Sequence, residues 1–142
     1  MIRVLCATLF FLCGTASAAD APGIVVTAAW VRASLGQSPT TAAYIRVENK
    51  GAKDDRLLSV STPAAAMAHL HESVSANGMM QMNAVPALVI KPGQTVELMP
   101  GGMHIMVMNL KAPLRAGATM PLVLTFEQAG EIKVEAEVRG LK

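Results

Sequence analysis

Turn-forming residues interrupt this chain so often that no long helix fits between them. Gly36 to Pro39, "NKGAKDD" at 49–55, Asn77-Gly78, Pro86, "KPGQ" at 91–94, "PGG" at 100–102 and Ala129-Gly130 are the breaks. The intervening runs are short, and none sustains an apolar period of 3.6 residues. They have instead the length and composition of strands bounded by turn signals. The expected strands are Ile24–Arg32, Ala42–Glu48, Leu57–Thr62, Ala68–Ser75, Met79–Asn83, Ala87–Ile90, Thr95–Met99, Met103–Leu110, Pro121–Phe126 and Ile132–Val138. Strands of this size and spacing predict an all-β domain, either an immunoglobulin-like β-sandwich or a small Greek-key barrel. The segment "TPAAAMA" at 62–68 has room for a helical turn, but its proline and the alternation that follows argue against a long helix.

The N-terminus obeys different rules. Arg3 is followed by an apolar run from Val4 to Cys13 and a small-residue end at Ala16-Ser17-Ala18, the pattern of a secretory signal peptide cleaved after Ala18. That run is about half of the roughly 20 residues needed to cross a hydrocarbon core. No transmembrane anchor is therefore expected after cleavage. Lipid attachment at Cys13 is disfavoured, because bulky Phe10, Phe11 and Leu12 precede it where small residues are wanted. The expected organisation is a leader over residues 1–18 and a single β-domain over 19–142. About 120 residues suffice for one hydrophobic core.

Cleavage would remove Cys6 and Cys13, the only two cysteines, so neither disulfides nor thiolate chemistry is expected in the exported domain. Of 12 basic residues all but Arg3 remain, 11 against 10 acidic ones, with no basic cluster and only Trp30 and Tyr44 as large amphipathic aromatics. A nucleic-acid binder needs a cationic stripe or stacking platforms, and this chain has neither. Enzyme signatures are also missing: His71-Glu72 is not followed by a second histidine at HExxH spacing, and there is no G-x-S-x-G or phosphate-cradling glycine loop. The chain reads as a binding protein, not an enzyme.

Methionine is the compositional outlier, with nine left of ten once Met1 is gone. The three histidines, His69, His71 and His104, all lie in strands that also carry methionine. In "GGMHIMVMNL" at 101–110, His104, Met106 and Met108 share one strand face, since successive side chains alternate. In the hairpin expected around Asn77-Gly78, Met67, His69 and His71 share a face of one strand, and Met80 and Met82 share a face of the next. Imidazole and thioether together suit copper, Cu(I) above all, whereas calcium and magnesium want oxygen and zinc normally takes thiolate or carboxylate. Methionine is also a flexible core filler, and Met99, Met103 and Met120 fit that plainer role.

The spacing His71, ten residues, Met82, twenty-one residues, His104, one residue, Met106 forms the pattern H-x10-M-x21-H-x-M. With "AWVRAS" near Trp30, "AAYIRVENKG" at 42–51, "HESVSANGMMQM" at 71–82 and "IKPGQTVELMPGGMHIMVMNLKAPL" at 90–114, it resembles the PCuAC family of periplasmic copper chaperones. The resemblance implies a cupredoxin-like β-domain with His71, Met82, His104 and Met106 as copper ligands. It implies Cu(I) as the favoured cargo, with Cu(II) as an alternative oxidation state. It also implies delivery in the periplasm to the copper centre of cytochrome c oxidase or to a thiol-bearing assembly factor of the Sco type. A periplasmic copper buffer serving metal tolerance is the alternative. An electron-transfer cupredoxin fits less well, because blue copper needs a cysteine thiolate. A monomer is expected. Roles for His69, Met80 and Met108 stay open, as outer ligands or as packing.

Overall fold

The computed structural model describes residues 23–140. The expected signal peptide, with Cys6 and Cys13, lies outside the described residues. Ten strands follow one another: β1 (Ile24–Arg32), β2 (Thr40–Asn49), β3 (Asp55–Ser61), β4 (Ala65–Ala76), β5 (Met79–Ala84), β6 (Leu88–Ile90), β7 (Thr95–Glu97), β8 (Met103–Leu110), β9 (Thr119–Phe126) and β10 (Gly130–Arg139). Two match the expected bounds, and most of the others run a residue or more longer. No helix occurs among the described residues. The 62–68 segment turns at Pro63-Ala64 and enters β4 at Ala65.

All the strands hydrogen-bond into one mixed sheet in the order β5-β4-β8-β2-β1-β10-β9-β3-β6, with β7 added beside β2. β1 and β10 are the parallel pair. Neighbours such as β4 and β8 are far apart in sequence, so the chain crosses over repeatedly, as in a Greek-key sandwich. One face of the sheet curls around the core. Val31, Ile45, Val47, Ile105, Val107, Leu122, Leu124 and Phe126 are almost fully buried there. Met120 is also buried, and Met103 packs against the cluster from its edge, so these two act as core fillers; Met99 is exposed.

Two buried polar side chains secure the loops. Asn49 donates through Nδ2 to the carbonyls of Lys53 and Ile90, both at 2.8 Å, and its Oδ1 accepts from the Gly51 amide at 2.9 Å. Asp55 accepts three backbone N–H groups, from Arg56 (2.7 Å) and Gln128 (2.8 Å) on Oδ1 and from Ala129 (3.0 Å) on Oδ2. Each satisfied bond contributes roughly 1 kcal/mol net, and leaving its partner buried and unpaired costs more. Asp55→Ala is therefore expected to lower the unfolding free energy by about 3 kcal/mol. Urea denaturation followed by circular dichroism checks this; a loss under about 1 kcal/mol would show that water replaces the carboxylate.

Candidate metal centre

Local turn chemistry and strand register together place the histidines and methionines. Asn77 (φ 51°) and Gly78 (φ 75°) both adopt the left-handed conformation that a two-residue hairpin needs, so β4 and β5 fold back directly on each other. Their register sets Met82 opposite Ser73 and His71 opposite Ala84. Met82 therefore stands on the same face as His71, one diagonal step away. The second pairing is between β4 and β8, where His71 faces His104, His69 faces Met106 and Met67 faces Met108. Directly opposed residues have Cβ atoms about 4.5–5.5 Å apart. The two imidazole rings lie nearly parallel, tilted by 27°, with centroids 6.2 Å apart.

This face is the outer one. Leu70, Ile105 and Val107 point to the core, which sends the alternate residues His69, His71, His104 and Met106 outward. His104 is nevertheless only 5% exposed. The loop before β8 closes over it: the Gly102 amide donates to the Met99 carbonyl at 3.1 Å, and the Gly102 carbonyl accepts from the Ser73 amide at 3.2 Å. The same carbonyl lies 2.9 Å from His104 Nδ1. A carbonyl oxygen only accepts, so this bond requires the proton on Nδ1 and leaves the Nε2 lone pair free. On the other ring, His71 Nδ1 is buried and finds no hydrogen-bond partner. An unpaired buried polar atom costs roughly 1–3 kcal/mol, which a ligand would offset.

Met82, His104 and Met106 line a cavity of about 510 Å³ together with Arg32, Tyr44 and Ser73. His71 opens instead on a neighbouring cavity of about 460 Å³, shared with His69 and Met108. The imidazole pair thus forms the partition between two hollows. On the far side Trp30 stacks on Tyr44 with ring centroids 4.3 Å apart, and the Arg139 guanidinium carbon lies 5.3 Å from the Trp30 centroid. Among the described residues no three His, Cys, Asp or Glu converge. The soft donors nearest this imidazole pair are the thioethers of Met82 (61% exposed) and half-buried Met106.

The structure thus gathers His71, His104 and Met106 on one outer face, with Met82 reaching the rim from β5. Met80, opposite Ser75, lies further out on the exposed edge. The Gly102 carbonyl, whose only trace in the sequence is the Gly101-Gly102 pair, and the direct pairing of the two His/Met strands are not legible from local pattern. A matching alternation in both strands, His69-x-His71 and His104-x-Met106, was the available signal.

A family model described as "Putative lipoprotein LpqE-like" matches residues 24–138. The chain belongs to this LpqE-like, PCuAC-type family. Protein Lxx21020 of Leifsonia xyli subsp. xyli, which carries the same lipoprotein designation, is 38% identical over 121 residues, covering 84% of this chain and 72% of its own. Among solved structures, the copper(I) form of DR1885 from Deinococcus radiodurans is 33% identical with a TM-score of 0.68, covering 87% of this chain and 83% of its own. The copper-bound PCuAC domain of PmoF2 superposes with a TM-score of 0.72 at 24% identity over 84% of this chain and 94% of that domain, a likeness of fold. The all-β, cupredoxin-like architecture of this PCuAC-type domain is thereby shared with both.

The Gly102 contact makes the tautomer of His104 a direct test of the site's geometry. Long-range ¹H–¹⁵N correlation on the metal-free protein should show His104 protonated on Nδ1 alone. A proton on Nε2 would mean that the nitrogen not bonded to Gly102 is not free to ligate.

Proposed function

We propose that this protein is an exported Cu(I) carrier that holds one copper ion through His71, Met82, His104 and Met106. The observation that carries this reading is the cross-strand pairing of His71 with His104 on the face that also bears Met106 and Met82. Two neutral imidazoles and two thioethers form a soft donor set without charge, which favours Cu(I) over hard cations. His71 Nδ1, without a protein partner, and His104 Nε2, left free by the Gly102 contact, fit the demand for free lone pairs. The copper(I) form of the relative DR1885 supports the same choice of cargo.

The graded exposure of the set, from exposed Met82 to buried His104, suits carrying. Met82 lies on an exposed edge strand, where a partner's stronger thiolate ligands can displace it first and the deeper His104 last. The recipients proposed, from the resemblance to PCuAC copper chaperones, are the copper centre of cytochrome c oxidase or a Sco-type thiol factor. The leader-like N-terminus and the lipoprotein designation of the relative both support export, with the periplasm as the proposed compartment.

The test is a Cu(I) titration against a competing chelator, comparing the parent with His71→Ala, Met82→Leu, His104→Ala and Met106→Leu. Each substitution should weaken binding about tenfold or more, equivalent to about 1.4 kcal/mol. Met82→Leu is the cleanest case, because its exposed site leaves folding untouched. Unchanged affinity in folded His104→Ala and Met106→Leu would defeat the assignment. Acid should weaken binding, since a protonated imidazole cannot ligate while a thioether does not titrate. Added Cu(II) should give no intense blue absorption, for want of a thiolate; a strong blue band would point to electron transfer instead.

A further inference from the structure

The same outer face carries a second soft donor set that the first does not use. Continuing along the β4–β8 ladder from the His71–His104 pair, the next opposed pair is His69 with Met106, and the next is Met67 with Met108. All are on one face, because opposed residues share a side and the register runs unbroken. Met67 is 43% exposed, His69 is exposed and Met108 is half-buried. His69 and Met108 line the cavity of about 460 Å³ onto which His71 also opens. Thioethers there fill no core, and no acidic cluster competes with them among the described residues.

We propose that Met67, His69 and Met108 form a second, weaker station for a soft monovalent metal ion, taking Cu(I) on the surface and passing it inward. The proposal rests on the first site being a Cu(I) site. Met106 is the shared border: it faces His69 across the ladder and lies two residues from both His104 and Met108. Residues two apart on a strand are separated by roughly 6.6 Å, so the ion moves one such step between donor sets. One imidazole and two thioethers make a three-donor set that is easily opened, which suits reception and release.

The test uses protein labelled with ¹³C at the methionine methyls, titrated with Ag(I) as a redox-inert stand-in for Cu(I). The first equivalent should shift Met82 and Met106, and the second should shift Met67 and Met108 with at least tenfold weaker binding. Met67→Leu with Met108→Leu, a volume-conserving pair of changes, should abolish the second equivalent and leave the first intact. His104→Ala with Met106→Leu should abolish the first while Met67 and Met108 still respond. Stationary Met67 and Met108 methyls through two equivalents, with Met82 and Met106 shifting, would overturn the second station alone. Shifts at Met67 and Met108 without any at Met82 and Met106 would instead overturn the first site. An amide spectrum matching the parent's excludes misfolding in each variant.

Discussion

The antiparallel register between β4 and β8 is the constraint on which the candidate site depends. It places His71 opposite His104 and His69 opposite Met106, although the whole of residues 77–102 lies between the two strands. A slip of β4 by one residue would turn His69 and His71 to the core face and bring Leu70 to the surface. The register is therefore held by the core. Leu70, Ile105 and Val107 are buried on the inner face, and the outer donors inherit their positions from that packing. The His/Met face and the hydrophobic face are two sides of one alternation.

Within that frame the donors differ in depth. His104 is fixed by the Gly102 carbonyl and covered by its loop, while Met82 projects from an edge strand whose residues are all exposed. An uncovered edge strand rich in methionine is an unusual surface, because edges are normally protected by charge, proline or a bulge. Here the same exposure that makes the strand adhesive also makes its thioethers accessible. A deep imidazole that orients and shallow thioethers that exchange form a sensible division for a carrier.

Much of this was legible in the sequence. The turn residues located all ten strands, since glycine, proline and asparagine act locally through backbone sterics. Asn77-Gly78 gave the β4–β5 hairpin, and with it the nearness of Met82 to His71, for the same reason. The β4–β8 pairing was not legible from local signals, because it is a contact between distant segments chosen by closure of the whole sheet. The parallel pairing of β1 with β10 escaped for that reason as well. His104 shows the limit clearly: alternation placed it on the right face, but its burial depends on a covering loop that periodicity cannot see. The helical turn allowed at 62–68 gave way to a turn and strand, because Ala68 and Leu70 are needed in the core.

The proposed site would hold a soft ion by two imidazoles and two thioethers on this outer face. X-ray absorption at the copper K-edge of protein loaded with one equivalent of Cu(I) measures that shell directly. The parent should show two nitrogen and two sulfur scatterers, and Met106→Leu one sulfur fewer. A shell of nitrogen and oxygen alone, or an unchanged sulfur count in that variant, would contradict it.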